Sequence, residues 1–358
     1  MKDYVHLFKT FIKKFHAQSH NLRFVESFSP MSRCIRQSVC TNFNVCRRQC
    51  FSTYASALKE MTHPIKPSAQ TLRHLQFTQR IPFQKGLEIQ ETLVRANLDI
   101  KDIQSKIERK LIQLDEEYKG TATINDNEKR ILDKVMAMKP NPIILTFEFE
   151  PTYTGGKRIK KTMTPDQTAA YESFIPETQK DNPRPKFVQV ERGGQVTFHG
   201  PGQIVIYIIL DLKTFQSFPA KCLVSCIEQA TIRTLKNTKM CDDTDKTLNL
   251  DAMTTKDTGV WVENGKKKVA SVGIHVRRSI TSHGVAINVN TDLSYMNSFE
   301  MCGLKNTLTT SIIEQRPDAV VNVQSVAISF VKEMTKLLGI KTLERMQIDD
   351  VNILKKNP

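Results

Sequence analysis

An uninterrupted run of seven apolar residues at positions 204–210 constrains the fold more than any other feature of this sequence. Seven residues suit a β-strand and are too few for most helices, and a strand without polar alternation is buried on both faces. Apolar residues recur at helical spacing in segments 220–235 and 323–338. Strands and helices are mixed along the chain without a regular strand–helix–strand repeat. The sequence therefore predicts an α+β fold.

Hydrophobic periodicity and turn residues predict the other elements. The dipeptide Asn264-Gly265 favours a tight turn because it tolerates positive φ, so a β-hairpin is expected around it. Segment 99–137 is dense in charged residues and has apolar residues three and four apart, which predicts a surface amphipathic helix or a helical hairpin. The remaining predictions are an apolar segment at 72–77, a helix at 84–98, and strands at 143–149, 259–262, 268–272 and 285–289.

Positive charge is concentrated at the N-terminus. The formal net charge is +15, and residues 1–59 hold ten Lys and Arg against two acidic residues. Residues 31–58 contain no acidic residue and four Arg, and residues 5–16 have the spacing of a basic amphipathic helix. This composition is typical of an organellar presequence, so residues 1–60 are predicted to direct the protein to the mitochondrial matrix. Met31 is an alternative start of the protein.

Four of the eight cysteines lie in the same segment and suggest a metal site as the alternative. They are Cys34, Cys40, Cys46 and Cys50. They form no C-x-x-C pair and have no neighbouring His, so we favour import and predict no metal. The other four cysteines are expected to stay reduced: Cys222, Cys226, Cys241 and Cys302. No apolar run approaches the roughly 18 residues of a membrane span, so a soluble mature protein is expected.

A glycine-rich segment at 192–203 is the most informative stretch for function. Its glycines let a ligand approach the main chain, while Arg192 and His199 add a cation and a titratable ring. The phosphate-binding patterns G-x-x-x-x-G-K-[ST] and G-x-G-x-x-G are absent. The alternative explanation is a tight connection that contains one structural histidine.

Cys302 and Lys268 are the candidates for covalent chemistry. A nucleophilic cysteine needs a neighbouring positive charge, which lowers the pKa of its thiol, and a fixed place beside the group that it attacks. Lys268 opens the strand after the predicted hairpin turn and precedes the small residues Ala270, Ser271 and Gly273. The alternatives are a buried inert thiol for the cysteine and a solvated turn residue for the lysine.

Six segments stand in an order and at spacings that together are highly specific. They are Pro151-Thr152-Tyr153-Thr154-Gly155-Gly156, residues 192–203, Gly259-Val260-Trp261-Val262, Lys268-Val269-Ala270-Ser271-Val272-Gly273, His283-Gly284-Val285-Ala286-Ile287-Asn288-Val289-Asn290 and Cys302-Gly303-Leu304. With them, the chain resembles the lipoate-protein ligase B family over about residues 70–315. The members of this family are octanoyl-(acyl-carrier-protein):protein octanoyltransferases, and the chain resembles in particular the fungal mitochondrial members.

The resemblance implies a fold shared with biotin and lipoate ligases, in which helices flank a central mixed sheet and the acyl chain lies in a tunnel beside the Arg-Gly-Gly loop. It also implies that Cys302 carries the acyl thioester and that Lys268 is its partner. The positions that match the acyl site are Arg192, Gly193, Gly194, Gln195, Val196, Thr197, Phe198, His199, Ser271, Val272, Gly273, Gly284, Val285 and Ala286. The chain departs from the family at Phe149, where many bacterial members have His. It also departs at Phe198, where Tyr is usual, and at Met301, where Pro often precedes the cysteine.

The activity that the resemblance implies is transfer of an octanoyl group from octanoyl-acyl carrier protein, through Cys302, to a lysine of lipoyl domains. The acceptors would be 2-oxoacid dehydrogenases and the glycine cleavage H protein. No ATP, other cofactor, nucleic acid or membrane is expected to take part. Lys268 would favour the thiolate and then accept a proton from the incoming amine. Backbone N–H groups near Gly273 and the Arg192 loop are candidates for binding the oxyanion. The positive charge outside the presequence suits an acidic carrier protein.

Two alternatives remain at this point. One is an ATP-dependent lipoate or biotin ligase on the same fold, which would not need Cys302. The other is a basic mitochondrial RNA-binding protein, against which stand the single Trp and the lack of an aromatic-rich strand. In the preferred interpretation, residues 1–60 are the targeting region, 70–345 the catalytic domain with a charged helical insertion at 99–137, and 346–358 a tail.

Overall fold

The computed structural model describes residues 62–118, 125–176, 178, 182–299 and 308–350. The helices are α1 (Phe83–Glu117), α2 (Asp126–Ala137), α3 (Pro165–Ser173), α4 (Ala220–Asn237), α5 (Ser294–Asn297), α6 (Ile312–Gln315) and α7 (Val323–Leu337). The strands are β1 (Thr71–Ile81), β2 (Ile143–Phe149), β3 (Thr152–Gly155), β4 (Lys186–Gln189), β5 (Val196–His199), β6 (Gln203–Ile209), β7 (Val260–Val262), β8 (Lys267–Arg277), β9 (Ile280–Asn288), β10 (Leu308–Thr309) and β11 (Thr342–Ile348). Within these ranges, no helix is both long and apolar enough to cross a membrane. The targeting region predicted at 1–60 and its four cysteines lie outside the described residues.

A mixed sheet forms the centre of the fold. Its strands stand in the order β10-β8-β9-β6-β2-β1-β11, and β7 also pairs with β8. β1 is parallel to both β2 and β11, whereas β2, β6, β9 and β8 pair antiparallel in turn. A smaller sheet has the order β4-β3-β5. Helices flank the main sheet, so the predicted α+β class is confirmed.

β6 explains why the apolar run is unbroken. Ile204, Ile206 and Ile208 pack into the core beneath α4 and α7, whereas Val205 and Tyr207 pack into a second core beneath α1. Successive side chains of a strand point to opposite faces, so both faces need apolar residues when helices cover both. The prediction of a strand buried on both faces is therefore confirmed.

The helical prediction for 99–137 takes the form of a hairpin. α1 continues unbroken from the predicted helix at 84–98 into the charged insertion, and α2 follows it in the chain with its C-terminal end beside Gln104 of α1. The Gln104 side chain donates hydrogen bonds to the carbonyl oxygens of Val135 and Met138, at 3.0 and 2.7 Å, and so satisfies the C-terminal end of α2. This end of the insertion is therefore bound to the long helix.

Some elements had no sequence signal. β11 pairs in parallel with β1 and contains Glu344, Arg345 and Gln347, because it is an edge strand that remains largely exposed. Its polar composition lacks the apolar alternation that indicates a half-buried strand. β11 also continues to Ile348, beyond residue 345, where the sequence analysis sets the start of the tail.

Candidate active site

A cavity of about 370 Å³ lies on the α1 side of the main sheet. Its floor includes Gly273 of β8 and Gly284 of β9, which are direct cross-strand partners. Ser271 and Ala286 form the next pair on the same face of the sheet, two residues further along each strand. Because four adjacent positions carry little or no side chain, the sheet has a trough here. Its volume is within the usual range for small-molecule sites, about 300–1,000 Å³.

The loop that begins at Arg192 lies directly over this trough. The Gly193 N–H donates to the Ile274 carbonyl at 3.2 Å, and a Cβ on Gly273 would stand 3.2 Å from the Gly193 oxygen. The close approach therefore requires a glycine in the floor. Since the Gly193 N–H is already bound to the sheet, that group is not available for an oxyanion, and this part of the oxyanion hypothesis is wrong.

Arg192 stabilises the loop from within the protein. Its Nη2 donates to the carbonyl oxygens of Thr154 and Gln195, at 2.8 and 3.0 Å, and its Nη1 donates to the Gly193 carbonyl. Charged donors of this kind make strong hydrogen bonds. The guanidinium thus joins the loop to the smaller sheet, and its donors bind backbone oxygens of the protein itself.

Two histidines border the cavity as neutral groups. His199 is stacked on Phe83, with 5.3 Å between ring centroids, and its Nδ1 lies 2.8 Å from Gln203 Oε1. Burial, and then the charge of Arg192, lowers the pKa of His199 to about 3. Burial likewise lowers the pKa of His283 to about 3. A ring that is uncharged near neutral pH can accept or donate a hydrogen bond here, but it does not supply the positive charge that a thiolate needs.

The cavity wall beneath α1 is mainly apolar. It includes Phe83, Val190, Val205 and Tyr207. The Tyr207 hydroxyl is buried and has no hydrogen-bond partner among the described residues, and burial raises its pKa far above the ordinary value. The wall is therefore suited to a hydrocarbon chain, with one neutral hydroxyl that can bind a polar atom of a ligand.

Lys268 reaches the cavity because β8 contains a bulge. Trp261 pairs with Lys268 and Val260 pairs with Ala270, which leaves Val269 as an extra residue. Val269 and Ala270 consequently both pack into the core beneath α4 and α7. Lys268 is 6% exposed, and its Nζ lies 5.2 Å from the Trp261 ring centroid. The interpretation as a solvated turn lysine is therefore wrong.

The structure brings together most of the residues expected at the acyl site. The expected positions that border the cavity are Arg192, Gly193, Gly194, Gln195, Thr197, His199, Lys268, Ser271, Val272, Gly273, Gly284, Val285 and Ala286. Val196 and Phe198 do not border it. They pack into an aromatic cluster with Tyr153 and Tyr295, because alternation along β5 turns them away from Thr197 and His199.

Several cavity residues were absent from the sequence prediction. Phe83, Val205 and Tyr207 stand in apolar patterns that indicate burial without showing which cavity a side chain borders. His283 lies in a quoted motif and has the unusual backbone φ of 60°, a conformation that the sequence does not reveal. Arg158 comes from the turn after β3, far along the chain from the other residues of the rim.

Cys302 lies outside the described residues. The described cysteines are Cys222, Cys226 and Cys241, and none of these three borders the cavity. Burial raises the pKa of the Cys226 thiol to about 12, which makes it an inert core residue. Among the thiols that the structure describes, there is thus no nucleophile at this site.

Comparison with known proteins decides the family. The model of the family described as "Lipoyl protein ligase A/B catalytic domain" matches residues 122–338, which is more than half of the chain. The chain belongs to the lipoyl protein ligase A/B catalytic-domain family. Membership agrees with the trough and with the Arg-Gly-Gly loop above it, and it confirms the predicted fold type.

The names of curated relatives of this protein specify an activity within the lipoyl protein ligase A/B family. The mitochondrial octanoyltransferase of Saccharomyces cerevisiae is 99% identical over 328 residues, 92% of this chain and 100% of the relative. That of Kluyveromyces lactis is 58% identical over 88% of this chain and 94% of the relative. The probable octanoyltransferase of Schizosaccharomyces pombe is 46% identical over 49% of this chain and 69% of the relative. The protein is accordingly a mitochondrial acyltransferase.

Proposed function

We propose that this protein transfers an octanoyl group from octanoyl-acyl carrier protein, through a thioester on Cys302, to a lysine of lipoyl domains. The observation that carries the proposal is the identity of 99% with a relative named octanoyltransferase over the whole length of that relative. The apolar trough with one buried lysine supports it, because acyl transfer between a thioester and an amine needs a place for the chain and a group that moves protons. This function fits the relatives better than ATP-dependent ligation or RNA binding.

In this proposal, Lys268 donates a proton in the first half-reaction and accepts a proton in the second. The Cys302 thiolate attacks the carbonyl carbon of the donor thioester, and the carrier thiolate leaves with a proton from the Lys268 ammonium. The substrate amine then attacks the octanoyl-cysteine, gives its extra proton to the neutral Lys268 amine and expels the Cys302 thiolate. Both protons are accounted for, and the enzyme returns to its starting state without ATP.

The described chain on either side of Cys302 supports its role beside Lys268. The Thr309 N–H donates to the Asn297 side-chain oxygen at 2.9 Å, and Thr309 pairs in register with Lys268. Asn297 and Thr309, which are described residues on either side of Cys302, are therefore joined beside Lys268. Five residues lie between Cys302 and Leu308, so the chain allows their Cα atoms to be at most about 20 Å apart.

A basic rim at the cavity supports an acidic carrier protein as the donor. Arg158 and Lys256 border the cavity, and Lys161 lies on the same turn as Arg158. All three side chains are exposed, and none belongs to an ion pair among the described residues. Lys160, by contrast, is paired with Glu191 at 2.8 Å. Unpaired cations at the mouth of a site attract an anionic partner and speed its encounter.

The decisive experiment is an intact mass measurement after incubation with octanoyl-acyl carrier protein in the absence of ATP. The protein should gain one octanoyl group, hydroxylamine should remove it, and Cys302→Ser should abolish the gain. A requirement for ATP, or an octanoyl group attached elsewhere, would instead support a ligase.

We further propose the domain limits that the sequence analysis predicts, with the catalytic domain extended to Ile348 because β11 ends there. Residues 1–60 would then serve only for import. A reporter fused to residues 1–60 or 31–60 should enter mitochondria, and cytosolic retention of both fusions would remove this assignment.

A further inference from the structure

A carboxylate on α4 approaches the catalytic lysine without forming an ion pair with it. Glu228 lies in the middle of α4, and its Oε1 accepts a hydrogen bond from the Gly259 backbone N–H at 2.9 Å. Burial raises the pKa of Glu228, while the hydrogen bond and the Lys268 charge oppose that rise. The carboxylate is therefore close enough to Lys268 for their charges to interact. Among the described residues, however, the Lys268 nitrogen and the Glu228 oxygens do not form a salt bridge, for which they would have to lie within 4.0 Å of each other.

Gly259 forms one wall of the slot that holds the lysine. Its φ is +129°, and a Cβ there would stand 2.5 Å from Lys268 Cε and 3.1 Å from Lys268 Nζ. The Lys268 ammonium also lies 5.2 Å from the Trp261 ring centroid, so the indole is a further neighbour of the slot. The position of the Gly259 peptide consequently limits where the lysine side chain can lie.

The segment before Gly259 is held by a few local contacts. Trp261 Nε1 donates to the Asp257 carbonyl at 3.0 Å, and the Asp257 N–H donates to Thr255 Oγ1 at 3.1 Å. The hydrogen bond to Glu228 is the contact that ties Gly259 itself to a helix of the core. A partly buried carboxylate is unfavourable for stability unless its environment compensates, so its presence beside the slot points to a role in the reaction.

We propose that Glu228 is a positioning residue, whose side-chain oxygen holds the Gly259 N–H and thereby keeps the Lys268 ammonium aligned with the acyl trough. The inference rests on the proposed function, in which Lys268 moves protons. In this proposal, the alignment of Lys268 depends on the length of the side chain that carries the acceptor oxygen, and not on the negative charge of that side chain.

Three substitutions of Glu228 separate the effect of side-chain length from the effect of negative charge. Glu228→Gln keeps an acceptor oxygen at the same length without the charge, Glu228→Asp keeps the charge but withdraws the oxygen by one methylene, and Glu228→Ala removes both. Self-acylation by octanoyl-acyl carrier protein is followed by intact mass at several donor concentrations. The Gln variant should stay within about threefold of the unsubstituted rate, whereas Asp and Ala should lose about 10–100-fold in the rate constant with KM unchanged.

The same substitutions in a Lys268→Met background test whether Glu228 acts through the lysine. Glu228→Ala should then have no further effect on the residual rate, since no ammonium remains to be positioned. An equal fold-loss in both backgrounds would overturn the proposal, and so would a fast Asp variant with a slow Gln variant. If the Ala variant does not fold, the comparison of Asp with Gln still decides.

Failure of the proposed function is distinguishable from failure of this inference. If the unsubstituted protein takes up no octanoyl group, both fall together. If it is acylated normally and the Asp variant is acylated at the same rate, only the positioning role of Glu228 is refuted.

Discussion

Substitution of Gly259 by alanine should slow the enzyme by displacing Lys268. An added Cβ would stand 2.5 Å from Lys268 Cε and 2.6 Å from the Ala270 carbonyl oxygen. Carbon atoms that are not bonded prefer a separation of about 3.5–4.0 Å. Because the Ala270 oxygen belongs to β8 and cannot move easily, the lysine side chain has to retreat by about 1 Å.

Two effects of this substitution have a calculable size. A displacement of about 1 Å in a catalytic group can lower the rate about 100-fold. In addition, φ of +129° is strained for any residue with a Cβ, which costs about 1–3 kcal/mol of unfolding free energy. The variant should therefore be both slower in self-acylation and less stable.

Gly265→Ala is the matched control for this loss of stability. Gly265 lies in the turn between β7 and β8 with φ of +85°, and its added Cβ would meet Thr255 Cγ2 at 3.1 Å rather than the lysine. Time courses of octanoyl uptake and thermal unfolding are measured for both variants. Both should unfold more easily, but only Gly259→Ala should acylate slowly. A wild-type rate for Gly259→Ala, or an equal loss of rate in the control, would refute the reasoning.

Further predictions concern the lysine, the rim and the core. Lys268→Met should lower the rates of both half-reactions by about 10²–10⁴. Lys268→Arg keeps the positive charge but releases a proton poorly, so it should acylate itself faster than the methionine variant and transfer as poorly. Self-acylation is measured by intact mass and transfer by octanoylation of a lipoyl domain; wild-type rates in the methionine variant would contradict this. Arg158→Glu with Lys161→Glu should raise KM for octanoyl-acyl carrier protein about tenfold at low salt but not KM for octanoyl-pantetheine. The control Lys332→Glu, on the helix α7, should change neither, and a rise for both donors would argue against docking at the rim. Burial, with the charge of Arg345, lowers the pKa of His74 to about 4, so its stabilising contribution is present above pH 6.5 and is lost as the pH falls. Between pH 6.5 and pH 5, the loss of unfolding free energy measured in urea should therefore be up to about 2 kcal/mol smaller in His74→Gln than in the unsubstituted protein, because His199 and His283 contribute to the loss in both. An equal loss in the two proteins would contradict this.

Local sequence patterns predicted the elements that frame the site. The run at 204–210 is a strand buried on both faces, and Asn264-Gly265 lies in the turn of the predicted hairpin. Such features depend on the side-chain period and on the backbone freedom of single residues, which neighbours in the sequence largely determine. Local patterns did not predict the polar edge strand β11. Its only strand partner among the described residues is β1, which is far away in the sequence, so neighbouring residues carry no signal of the pairing.

The electrostatics of the site depend on the tertiary structure. Arg192 was expected to offer a cation, yet its donors bind backbone oxygens, and His199 was expected to titrate, yet burial keeps it neutral. Hydrogen-bond partners and loss of solvent come from residues that are distant in the chain, so no local pattern reports them.

The sequence by itself determined the α+β class, the family motifs and the residue types of the candidate site. Only the tertiary structure decided which side chains enter the cavity. The extra residue Val269 turns Lys268 toward the trough, and Glu228 approaches the same slot from a helix. The physical reason is that a strand's alternation has a fixed period of two, which one bulge reverses. Whether a bulge forms depends on the pairing between strands rather than on either strand alone.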